Sequence, residues 1–271
     1  NYMIQFPGGD FRKGERISIE GLQAPFGVAT DDQNRIWVSS SFNNKLTVIQ
    51  GDSPDQYKTV TVALGARGLA IDSKGNAWLS QQSNSPTGAL PAGAVMPPGT
   101  PNPPQQPKTI MQEFEAGAAF AAANPKLQTL GNLALISPNL KIIKNGVAGE
   151  VAFVPWGVTI DGNDNVWVGN LYGQSLIHIC GTDPSTCPDG KNTGDVIHNY
   201  QSGVIQVTTD VVVDDAGNIW SANNWYDADV VINNSYSPRT STFPGGQGLV
   251  VTYGVAAPVQ NPLFGAVRKP N

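Results

Sequence analysis

The sequence predicts an all-β fold of stacked four-stranded antiparallel blades, interrupted by one Pro-rich and helical insertion. Three observations predict it: a composition that favours turns, a hairpin motif present four times, and further apolar runs after the copies. Gly (30) and Pro (21) make up almost a fifth of the 271 residues, while charged residues are only 14%. That mix favours turns over helices. The hydrophobic fraction of 40% is ordinary, and the length is enough for one domain, 1–271, with a proper core.

The four copies are FGVATDDQNRIWVSS (26–40), RGLAIDSKGNAWLSQ (67–81), WGVTIDGNDNVWVGN (156–170) and TDVVVDDAGNIWSAN (209–223). In each, a β-rich run ends in an Asp (Asp31, Asp72, Asp161, Asp214), a turn follows, and a second run is centred on a Trp (Trp37, Trp78, Trp167, Trp220). Alternating β-branched and aromatic residues bracket a turn whose Asp can bond the backbone a few residues on, which is the signature of a hairpin. Asn34, Gly75, Asp164 and Gly217 share the turn position that favours positive φ. Gly27, Gly68 and Gly157 head the first strand, where backbones crowd near a shared axis, and Asp210 breaks that rule in the last copy. The Trp is expected to wedge one hairpin sheet against the next.

A lone hairpin cannot bury its apolar face, so the copies must stack, and radial stacking of small sheets makes a β-propeller. Third strands are expected at KLTVIQ (45–50), LKIIKN (140–145), SLIHIC (175–180) and ADVVIN (228–233), and fourth strands at YKTVTVAL (57–64) and GLVVTYGV (248–255). YMIQFPG (2–8) reads as an outer strand, and NPLFGAV (261–267) faintly echoes another repeat. Four blades are visible; the ring is either a small one of four or five blades or part of a larger one.

The Pro25-Phe26-Gly27-Val28-Ala29 and Asp214-Asp215-Ala216-Gly217-Asn218-Ile219-Trp220 stretches resemble the NHL-repeat and virginiamycin B lyase-like propellers, over roughly residues 22 to 255. The resemblance implies the propeller fold. For function it implies less, because such propellers include lyases, lactonases and interaction modules. The lyase resembles a repeat of Trp-Phe-Thr-Glu blades with a histidine and acidic residues around Mg²⁺ at the axis. This chain reads Trp-Val-Ser, Trp-Leu-Ser, Trp-Val-Gly and Trp-Ser-Ala there, so those residues do not carry over.

Residues 85–107 hold eight prolines and read as an extended linker. In 109–124, Ile110, Phe114, Ala118 and Ala121 fall at helical spacing ahead of Pro125, predicting one short helix. Together, 85–128 form an arm inserted in blade two.

In an up-and-down blade the first and third turns share one end, which places the Asp turns and the Cys180–Cys187 loop on one face. The opposite face, near the mouth of the axis, receives the loops between second and third strands. There Phe42, Asn43, Asn44, Gln81, Asn170, Tyr172, Asn223, Trp225, Tyr226 and Asp227 combine rings and amides that suit a peptide or glycan. The competing expectation is that they finish strand ends. The repeated Asp residues read as backbone caps, and His178 and His198 as packed or surface residues.

Cys180 and Cys187 are spaced to close a small disulfide loop; free thiols are the alternative, and no zinc spacing occurs. A disulfide, together with an opening Asn1 in place of Met, points to a secreted, periplasmic or cell-surface protein. The net charge of −5, with no Lys/Arg run, excludes the footprint of a nucleic-acid binder, and no apolar stretch is long enough to span a bilayer. The sequence therefore predicts an exported, non-catalytic module without cofactor that binds a protein or glycan, with self-association through the 85–128 arm as a further expectation. The alternative is a lyase- or lactonase-type enzyme with Mg²⁺ or Ca²⁺ at the axis.

Overall fold

A computed structural model describes residues 2–6, 9–84, 93–100, 119, 123–124, 129–202, 204–223 and 248–259. The described residues are nearly all β, in five antiparallel sheets. A two-stranded hairpin, β1 (Tyr2–Gln5) and β2 (Glu15–Ser18), precedes the repeats. Blade one is β3 (Pro25–Thr30), β4 (Arg35–Ser40), β5 (Lys45–Gln50) and β6 (Ser53–Thr61), in that spatial order. Blade two is β7 (Ala66–Ile71), β8 (Ala77–Gln81), β9 (Asn132–Ile136) and β10 (Ile142–Val147). Blade three is β11 (Pro155–Ile160), β12 (Val166–Asn170), β13 (Ser175–Ile179) and β14 (Val196–Gln201), and blade four is β15 (Thr208–Val213), β16 (Ile219–Asn223) and β17 (Gly248–Thr252).

Two strand assignments differ from the sequence expectation. Residues 140–145 were expected as a third strand, but β9, from NLALI, takes that place beside β8 and leaves β10 as the fourth. Leu and Ala give β9 little β-branched character, and burial on both faces removes its alternation. Residues 248–255 were expected as a fourth strand, yet β17 pairs directly with β16, with Trp220 opposite Val251. The expected strand at 228–233 and the echo at 261–267 lie outside the described residues, as do most of 85–128 and of the helix expected within it. The first strand, expected as an orphan outer strand, pairs among the described residues with β2, in a separate two-stranded sheet.

The inner strands pack in sequence, β3 on β7, β7 on β11 and β11 on β15. The glycines explain how they come so close: a Cβ added to Gly27 or Gly68 would fall within 3.0 Å of the carbonyl oxygen of Arg67 or Trp156 on the next blade. Each tryptophan is the wedge between sheets. Trp37 lies among Leu69, Ile71 and Leu79 of blade two, Trp78 among Val158, Ile160 and Val168 of blade three, and Trp167 among Val211, Val213 and Ile219 of blade four. Fully burying such a ring contributes about 3 kcal/mol or more.

The turns carry positive φ at Asn34, Gly75, Asp164 and Gly217. Each Asp caps its own turn: Oδ1 of Asp31, for example, accepts from the backbone of Gln33 and Arg35 at 3.0 Å, and Asp72, Asp161 and Asp214 repeat the pattern.

Candidate ligand-binding face at the axial mouth

In each repeat, one residue directly precedes the inner-strand glycine or Asp210: Phe26, Arg67, Trp156 and Thr209. Because inner strands of neighbouring blades are in contact, these four positions come together at the end of the axis that also receives the loops between second and third strands. The Arg67 guanidinium packs there against both aromatic rings at once, 4.6 Å from the Phe26 ring and 4.7 Å from the Trp156 ring. The two rings meet edge to face at 5.4 Å. Nη1 of Arg67 donates to Ser41 Oγ at 2.6 Å, tying the stack to the loop that carries Phe42. Burial lowers the Arg67 pKa to about 9, partly offset by the neighbouring Tyr172, so the group is a cation at neutral pH. Burial also pushes the Tyr172 phenol up. Arg67 is fully buried, whereas Phe26 keeps 40% of its surface open to solvent.

The side chains expected to line this face are distributed around the stack in two ways. Gln81, Asn170 and Asn223 occupy equivalent positions, the last residue of the second strand, and act as clamps. Their side-chain oxygens accept from the backbone N–H of Ala63 (2.7 Å), Phe153 (2.7 Å) and Gln206 (3.2 Å), just ahead of the inner strand of the same blade. Asn170 Nδ2 also donates to Val151 O and Ser175 Oγ, and Asn223 Nδ2 to Val204 O. In blade one, Ser40 Oγ serves the same purpose toward Gln23 N–H. Asn43 bridges backward to Gly21 O at 2.8 Å while its Oδ1 accepts from Lys45 N–H, and the Asn44 carbonyl accepts from Val62 N–H. Phe42 is buried beside Ser41, and Tyr172 is buried edge-on against Phe153 at 5.9 Å. Trp225, Tyr226 and Asp227 lie outside the described residues.

Sequence reasoning passed over Phe26, Arg67 and Trp156. The signal was a column of the repeat alignment, the residue before the glycine, in which two aromatics flank a guanidinium.

At the other end of the axis, the Cys180–Cys187 disulfide is formed and its loop rests on blade two. Thr182 Oγ1 donates to Asp72 Oδ2 at 2.9 Å, and Lys74 Nζ donates to Thr182 O at 2.7 Å. The second carboxylate oxygen of each repeated Asp accepts from its own tryptophan, so both oxygens are engaged. Among the described residues, no group of three or more His, Cys, Asp or Glu side chains converges as a metal-ligand set. Among the described residues the aromatic cluster at the mouth carries a guanidinium, Arg67, which repels a divalent cation. These residues do not fit the Mg²⁺ that the family resemblance implies. His178 and His198 face each other across β13 and β14, with the His178 ring stacked on Trp167 at 4.0 Å, inside blade three and away from the mouth.

Solved structures with a similar fold include a catalytically inactive virginiamycin B lyase from Staphylococcus aureus with quinupristin, at 12% identity and a TM-score of 0.48 over 97% of this chain. Others are a protein described as a gluconolactonase (12%, 0.44, 78% of this chain) and the Kuenenia stuttgartiensis hydrazine synthase (12%, 0.44, 76%). This chain spans 62%, 60% and 45% of the lengths of those three chains. No protein-family model matches it, and no curated protein matches it.

Proposed function

We propose that this chain is an exported, non-catalytic propeller that binds a protein or glycan partner at the axial mouth, with the 85–128 arm contributing to that contact. The observation that carries the reading is the Phe26–Arg67–Trp156 stack. The guanidinium and the two rings pack on one another, and Phe26 keeps 40% of its surface open to solvent. A preorganised ring loses little entropy on binding, and its flat face covers the C–H face of a sugar or an apolar side chain. The clamps at Gln81, Asn170 and Asn223 hold the surrounding strand ends in place. Export agrees with a formed disulfide and with the lack, among the described residues, of a helix long and apolar enough to cross a membrane.

Arrays of defined oligosaccharides and of extended peptides, probed with the purified chain and with Phe26→Ser, test the reading. Binders of the parent are expected to lose at least tenfold in affinity in the variant, about 1.4 kcal/mol. Stoichiometric Mg²⁺ or Ca²⁺ in the purified protein, lost together with a turnover activity, would replace this reading by a lyase- or lactonase-type enzyme.

A further inference from the structure

The sequence holds a single Asn–Gly pair, Asn145–Gly146, and the fold presents it at the surface. It lies in β10, the outermost strand of blade two, where the register with β9 slips. Lys144 stands opposite Leu135 and Val147 opposite Leu133, so Asn145 and Gly146 together face Ala134. Two residues against one is a β-bulge, which takes the backbone out of the regular ladder. Gly146 has a φ of 74°, and a Cβ built on it would meet nothing within 4 Å.

The side-chain bonds at this pair are long. Gly146 N–H donates to Asn132 Oδ1 at 3.3 Å, and Asn145 Oδ1 accepts from Gln81 Nε2 at 3.4 Å. Both lie beyond the roughly 2.7 to 3.2 Å of an ordinary N–H···O bond. Asn170 is a contrast: its Oδ1 accepts at 2.7 Å, its Nδ2 donates at 3.0 and 2.9 Å, and Leu171 follows it. A following glycine has no Cβ to screen its backbone nitrogen, so the Asn145 carboxamide carbon can approach that nitrogen without a clash.

We infer that Asn145 is a site of spontaneous covalent modification: deamidation through a cyclic imide formed with the Gly146 nitrogen. Hydroxide removes the Gly146 N–H proton, and the nitrogen attacks Asn145 Cγ. The new C–N bond closes a five-membered ring, the Cγ–Nδ2 bond breaks, and the side-chain nitrogen leaves as ammonia with a proton from water. A second water opens the ring at either carbonyl and leaves an aspartyl or an isoaspartyl residue. The net change is amide plus water to carboxylate plus ammonium, with nothing oxidised or reduced. The aspartyl product sets a negative charge beside the Gln81 amide, which already donates toward this side chain. The isoaspartyl product adds a methylene to the main chain within the bulge, where the surrounding space is open.

Ageing the full chain at mildly alkaline pH, beside the free peptide LKIIKNGVAGE (140–150), tests this. Digestion and mass spectrometry read the exchange of NH₂ for OH at Asn145, and chromatography separates the aspartyl from the isoaspartyl form. Asn145 in the folded chain is expected to convert within about thirtyfold of the peptide rate, because a bulge in an outermost strand opens at little cost. Gly146→Ala, whose methyl has room in the fold, should slow conversion by screening the nitrogen. Urea below the unfolding transition should leave the parent rate unchanged. Conversion slower than that thirtyfold limit overturns the inference. So does a rate that climbs with subdenaturing urea, which places the reaction in the unfolded chain. A Gly146→Ala chain that converts as fast as the parent overturns it as well, since the amide would then be hydrolysed without the ring.

Discussion

The indole Nε1 of Trp37 donates to Oδ2 of Asp31, six residues earlier across the turn, at 2.7 Å. Trp78, Trp167 and Trp220 bond Asp72, Asp161 and Asp214 in the same way, at 3.3, 3.0 and 2.8 Å. One carboxylate thus caps the turn with one oxygen and orients the wedge with the other. In blade one it also pairs with Arg35. Asp31→Ala removes all of these partners at once and should lower unfolding free energy by about 2 to 4 kcal/mol, against a few tenths for the neighbouring Asp32→Ala, as read from urea denaturation.

Gly68→Ala is expected to cost several kcal/mol, because the new methyl would meet the Trp156 carbonyl and the Val158 N–H atoms of blade three, neither of which can yield. Gly146→Ala, with φ near 74° but open space around it, should cost only about 1 kcal/mol. A melting-temperature comparison of the two separates interblade crowding from turn strain.

Two groups give opposite examples of how the fold shifts protonation. The Trp220 indole and the Asn218 contacts hold Asp214 down to about 2, so its contribution is present above the ordinary carboxylate range and is lost as pH falls toward 2. Burial, aided by His198, lowers His178 to about 4, and its Nε2 is buried without a hydrogen-bond partner among the described residues. Neutral His178 therefore supports folding above its ordinary value of 6.5, and that support, about 2 kcal/mol after solvent screening, fades as pH drops through 4. His178→Gln should flatten stability between pH 6.5 and 4, followed by calorimetry.

Reduction of Cys180–Cys187, whose partners are 7 residues apart, should lower stability by about 2 kcal/mol on loop-closure grounds. It should also raise amide exchange at Asp72 and Lys74, since the loop donates to one and accepts from the other. No change at blade two would show that the loop stays seated without its crosslink.

The ends of the insertion already meet, with Gly131 N–H bonded to Asn84 Oδ1 at 3.0 Å and Asn132 paired with Gln81. Replacing 85–128 by a short Gly/Ser linker should leave the circular dichroism unchanged while weakening partner binding. Loss of the strand signal would make the arm part of the core.

The hairpins, their positive-φ turns, the wedge role of tryptophan and the crowding at Gly27 and Gly68 were all legible, because each rests on a periodicity that recurs. The Asp–Trp bond was not, since a cap and an indole acceptor demand the same residue and spacing alone cannot separate them. Strand β9 was missed because a fully buried Leu/Ala run carries no alternation. At the mouth, the loop amides drew attention by their chemistry. The Gln81, Asn170 and Asn223 side chains hold backbone in place, while Phe26, Arg67 and Trp156 come together only through the approach of three different inner strands.

Since Trp37, Trp78 and Trp167 are each tied to their own turn and pack on the blade that follows, cooperativity passes along the arc from neighbour to neighbour. Among the described residues, blade one packs on blade two and, in part, on the β1–β2 hairpin, whereas blade four packs on blade three. Fraying should therefore begin at the β15–β17 end and travel inward, leaving the amide protons of blade two as the last to exchange.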